Sequence, residues 1–108
     1  MNENNQSISD NTELETIEIS HWADLLTKLE RLEKNPDYKA IVEGWYLQEK
    51  VLDSVGLLAA PQTKQGGHRP DVMEDLVAAS NFKYAMFMIH QLGEGARAEL
   101  MELDGPGE

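Results

Sequence analysis

An all-α fold is what this 108-residue sequence predicts. Three observations carry the prediction. Three stretches place apolar residues at three- and four-residue steps, two of them open with a proline and an acid, and no pair of alternating apolar runs could form a hairpin of strands. The expected architecture is an antiparallel hairpin of helices at about 36–60 and 70–92, with a third helix at about 21–34 packed across it. Residues 1–20 read as a flexible, extended acidic arm, 21–104 as a single helical domain and 105–108 as a frayed tail.

The arm opens with "MNENNQSISDNTE", which is polar and short of residues that could pack. "LETIEIS" follows, with Leu14, Ile17 and Ile19 alternating loosely with Glu15 and Glu18. It has no second strand to pair with, so it is expected to lie as an arm on the body or on a neighbour.

Ser20 is a plausible cap for the first helix. Trp22, Leu25, Leu26, Leu29 and Leu32 then share one face, and Lys28, Arg31 and Lys34 fall toward the C-terminal end, where the dipole favours cations. The second helix opens with Asn35-Pro36-Asp37: a cap, a proline suited to the first turn, and an acid at the positive end of the dipole. At 100° per residue, Tyr38, Ile41, Trp45, Leu52, Val55 and Ala59 line one face, and Pro61 stops the helix. "PQTKQGGH" reads as a loop with Gly66 and Gly67 its most flexible point. The third helix starts near Arg69–Asp71 and can continue to about Asp104, weakened or bent at Gly93 and Gly95.

The formal charge of −11 is uneven. Residues 1–20 and 94–108 carry most of it, whereas 21–93 holds ten acids against eight bases. Phosphate backbones and anionic membrane surfaces repel such a chain, so no direct nucleic-acid or membrane partner is expected. No apolar run reaches the ~18–20 residues that span a bilayer. The opening residues lack the basic start and apolar core of a secretory leader, and the absence of cysteine fits a reducing compartment.

The third helix has one broad face, Met73, Leu76, Val77, Ser80, Tyr84, Phe87 and Met88, that can pack on the second helix. A second stripe, Phe82, Met86 and Ile89, lies elsewhere, as do Tyr46, Leu47 and Val51 on the second helix. Helices apolar nearly all round are normally enclosed on several sides. Gly44 beside Trp45 and Tyr46 lowers helix propensity by up to ~1 kcal/mol, which predicts a close crossing by another backbone or ring. Either the three helices close over these surfaces themselves or another chain covers them; for the second case Trp45, Tyr46, Phe82, Met86 and Ile89 are the candidate contacts, since buried aromatics dominate interface energies.

Chemistry finds little footing. His21, His68 and His90 have no ligand-pair spacing, and no cysteine is present, so neither a metal nor another cofactor is expected. Glu74 and Asp75 point about 100° apart and make no acid/base pair. Ser54 and Ser80 lack a neighbouring base, and "KQGGH" lacks the spacing of a phosphate loop. The chain is read as a non-enzyme.

"NPDYKAIVEGWYLQEKVLDSVGLLAAP" and "RPDVMEDLVAASNFKYAMFMIHQLGEGARAELME" resemble a group of small acidic proteins encoded by tailed bacteriophages. There, an "NPDF/Y…EGY" helix and an "EDL.AIS" helix are joined by a short proline-containing loop. The resemblance covers about residues 34–103 and carries no catalytic motif. It implies a virion-associated or assembly-accessory protein, in the virion or the host cytoplasm. Its partners would be a phage structural protein or further copies of itself. The alternative reading is a small acidic regulator that binds and inhibits a host protein.

Overall fold

The computed structural model describes the backbone of residues 2–104 and the side chains of 15–103, and every described element is helical. In chain order these are α1 (Asn2–Glu33), α2 (Pro36–Tyr38), a π segment (Lys39–Glu49), α3 (Lys50–Leu58), α4 (Pro61–Gln65) and α5 (Arg69–Asp104). The expected tail at 105–108 lies outside the described residues. Two compact units emerge: a terminal unit of Met1–Glu30 with Met88–Glu108, and a hairpin unit of Arg31–Phe87.

The extended arm expected over 1–20 is corrected by α1, which is helical from Asn2 onward. No proline or glycine interrupts residues 2–33, so Ser20 has no break to cap. Helical spacing also puts Ile19 and Trp22 on the side facing α5, and both are partly buried. Over this stretch Ile19 turns toward α5 and Ile17 stays exposed.

In the terminal unit, α1 and α5 run antiparallel around a small core. Leu26 is sealed, and Leu29 and Ala96 are nearly so. Gly93 lies within the continuous α5 and allows the helices to approach. A Cβ built at Gly93 would fall inside the Leu26 side chain, 2.8 Å from Leu26 Cδ2. Beside this contact, Arg97 clamps α5 to α1. Its Nη1 donates to Glu30 Oε2 at 3.0 Å, and its Nη2 donates to Glu30 Oε1 and to Thr27 Oγ1 at 2.9 Å.

In the hairpin unit, Asn35 caps α2 as expected: its Oδ1 accepts from the amides of Asp37, at 2.8 Å, and Tyr38, at 3.3 Å. The chain then widens into the π segment, where the Lys50 amide donates to the Trp45 carbonyl five residues back. Such segments are rare beyond a single turn. At roughly 4.4 residues per turn, each residue lags an α-helix by about 18°, so eleven residues rotate the face by about 200°. The face expected from Tyr38 to Ala59 is therefore broken in the middle. Tyr46 and Leu47 turn inward, whereas Ile41 and Trp45 stay exposed.

Gly44 also departs from expectation. No ring or backbone crosses it: the nearest atom to a Cβ there is the Lys39 carbonyl of its own helix, at 3.3 Å. The loop predicted at 61–68 contains the short α4, with Pro61 in its first turn and Gly67 at φ +72° just beyond it. Among the described glycines, the left-handed Gly67 is the one that needs glycine for its backbone conformation.

Candidate protein-docking face

Three contacts set the register of the hairpin. Tyr46 meets Phe82 edge-on at 5.9 Å, Lys50 Nζ lies 3.7 Å from Asp75, and Arg69 Nε donates to the Leu58 carbonyl at 2.9 Å. The second chain segment thus runs back along the first. Ser54 of α3 and Ala79 of α5 are buried, and Leu47, Val51 and Leu76 close around Ala79 and Ser80 in a shallow groove of about 220 Å³.

These inward residues orient everything else. One step on from Ser54 is Val55, and one step on from Ala79 is Ser80, each turned by about 100°. Because the two helices are antiparallel, the same sense of rotation brings both steps to one side of the hairpin. That side carries Leu52 and Val55 from α3 and Met73, Val77, Tyr84 and Phe87 from α5. All six are exposed, from 49% at Met73 to 70% at Leu52. The Tyr84 and Phe87 rings sit 6.1 Å apart and are tilted by 34°. The opposite side is closed by Tyr46 on Phe82, with Lys50 Nζ 5.9 Å from the Tyr46 ring centroid.

The expected assignment of faces on α5 holds for Leu76 and fails for four of its companions. Met73, Val77, Tyr84 and Phe87 were expected to pack within the hairpin and instead face outward. Of the candidate contacts, Phe82 and Tyr46 are half-buried against each other, and Met86 is half-buried in a groove with Tyr38, Leu47 and Lys83. Trp45 is exposed and stands 6.3 Å from the Tyr46 ring. Ile89 is half-buried and belongs to the terminal unit, whereas the other four belong to the hairpin. The 4-3-4-3 spacing of residues 73, 77, 80, 84 and 87 was the available signal for the outward face. What hid the inward face of the partner helix was the π segment at Lys39–Glu49, which has no sequence signature and shifts which residues of its own helix turn inward.

The terminal unit holds a second surface feature. A groove of about 360 Å³ has an apolar floor of Ile19, Trp22, Leu92 and Ala96, with Glu15, Glu18 and Glu99 at its rim. Acids expected in a flexible arm are here ordered along a helix face.

Among the described residues, no three His, Asp or Glu side chains stand close enough together to hold a metal ion. None of the described helices is long and apolar enough to cross a membrane. No protein-family profile matches the chain, and comparison with curated proteins and with solved structures finds no match.

Proposed function

We propose that the chain is a non-enzymatic accessory that works by docking onto other protein chains. The observation that carries this reading is the apolar side of the hairpin: six large side chains, about half or more exposed, on a unit whose buried residues are few and small. Burying such a side chain fully is worth on the order of 1.5–3 kcal/mol, so covering the face would strongly favour association. The resemblance of residues 34–103 to small phage-encoded proteins supports a place in the virion or in its assembly.

Mass spectrometry of purified virions and assembly intermediates from the source of the chain tests this. The expected result is the chain at defined copy number in one or both, lost when Val77→Asp is introduced. A chain absent from both preparations would falsify the placement.

The acid-rimmed groove of the terminal unit favours a second reading, a small acidic regulator of a host protein. The terminal unit carries twelve acids against two bases. A basic segment of a partner would satisfy both rim and floor. Under that reading, Glu15→Lys with Glu99→Lys abolishes inhibition of the host target, whereas Val77→Asp leaves it unchanged.

A further inference from the structure

We infer that the apolar side of the hairpin is covered by a second copy of this chain, with the two α5 helices antiparallel across a two-fold axis near Ser80. The inference deepens the docking reading above and rests on it.

The first argument is the spacing along α5. Met73, Val77, Ser80, Tyr84 and Phe87 follow steps of four, three, four and three, the repeat that lets one helix interlock with another. All five are exposed, and all lie within the hairpin unit.

The second argument is self-complementarity. A two-fold axis makes residue i of one copy meet residue j of the other, and j meet i. With the axis at Ser80, Met73 and Phe87 are each seven residues away, so Met73 of one copy stands opposite Phe87 of the other. Val77 and Tyr84 are nearly level in the same way. Each smaller side chain is set against a ring, and the polar Ser80 meets its own counterpart rather than an apolar surface. A parallel pairing would instead set Phe87 on Phe87 and Tyr84 on Tyr84 at one end. It would leave only Met73 and Val77 to fill the other, which packs less evenly. Buried polar positions are an established means of fixing register.

The third argument is charge. The hairpin unit has eight acids and seven bases, a net of −1, whereas the terminal unit has a net of −10. The five seam residues are uncharged, so two hairpins meet along them without burying a charge. A strongly basic partner finds no ion pair on this seam.

The area agrees with a real but modest association. Rings of about 150–250 Å² that are half exposed, with aliphatic neighbours somewhat smaller, offer on the order of 100 Å² per side chain. Two copies would therefore remove about 1,200 Å² from water, the lower edge of stable interfaces. A dimer of that size depends on concentration.

The chain has no native cysteine, which makes cross-linking a clean test. Sedimentation equilibrium of the full chain is expected to show a monomer–dimer equilibrium, shifted at least tenfold toward monomer by Val77→Asp with helical circular dichroism retained. In a thiol redox buffer, Ser80→Cys is expected to form a disulfide-linked dimer. Met73→Cys alone is not, because two copies of residue 73 would lie about 21 Å apart along the helices, far beyond disulfide reach. Mixing Met73→Cys with Phe87→Cys is expected to give the mixed dimer. A monomer across the accessible concentration range overturns the inference, as does Met73→Cys cross-linking as readily as Ser80→Cys. A monomer that is nonetheless present in particles overturns the pairing alone and leaves the docking reading standing.

Discussion

Gly93 of α5 lies flat against Leu26 of α1, and Leu26 is the large side chain that is fully sealed among the described residues. The two residues set how closely the helices of the terminal unit approach. Gly95, two positions on, has no atom within 4 Å of where a Cβ would sit. The two glycines should therefore respond oppositely to the same change. Gly93→Ala forces Leu26 to move and is expected to lose about 1–3 kcal/mol of stability. Gly95→Ala restricts the unfolded chain without a clash and is expected to gain about 0.5–1 kcal/mol. Urea unfolding followed by circular dichroism measures both, and equal effects of the same sign would refute the close approach at Gly93.

The Arg97 fork on Glu30 depends on planar, two-point geometry. Lysine keeps the charge and loses the fork. Arg97→Lys is expected to lower the melting temperature in dilute buffer, with a smaller deficit at about 1 M salt because both side chains are partly exposed. A deficit that is independent of salt would assign the role of Arg97 to packing along its stem.

Asn35 holds two amides at the head of the hairpin unit. Asn35→Ala is expected to cost about 1 kcal/mol, and Asn35→Asp to retain most of the stability, since an aspartate caps as well and suits the dipole. Thermal denaturation of the pair decides it: equal loss in both variants would show that the cap contributes nothing.

Burial, assisted by Glu43 and Glu33, holds the Tyr38 hydroxyl above its ordinary value of 10.0. The folded state thus favours the neutral phenol. Its contribution to stability is complete below pH 10 and declines as pH rises from there through the higher folded value. Tyr38→Phe is expected to flatten that alkaline decline. Glu43→Gln and Glu33→Gln are expected to bring ionisation of Tyr38 to lower pH in ultraviolet difference titration. A Tyr38 that ionises at the same pH in folded and urea-unfolded protein would contradict this.

Much of the helical content was legible because it rests on local chemistry. Asn35-Pro36-Asp37 announces a helix start through an Asx cap, a fixed φ and a dipole, none of which needs a distant partner. Pro61 and Gly67 mark the break between α3 and α5 for equally local reasons. The α5 seam was legible as a pattern, since its steps follow from 3.6 residues per turn. Its direction was not. The extension of α1 across 2–20 was missed because weak alternation at Leu14–Ile19 competes with helical spacing. The packing of Ile19 and Trp22 beside α5, far along the chain, resolves that competition.

By itself, then, the sequence determined an all-α chain, its principal caps and breaks, its acid-rich ends and its surplus of apolar side chains. These follow from residue chemistry and from spacing over a few turns. Only the tertiary structure decided which apolar stripe is buried and which is left outside. The π segment rotates one helix by about half a turn relative to regular winding, and Tyr46 closing on Phe82 commits the hairpin to that rotation. Met73, Val77, Tyr84 and Phe87 stay outside while Phe82 turns in on Tyr46, a contact between residues thirty-six positions apart that periodicity along one helix cannot report.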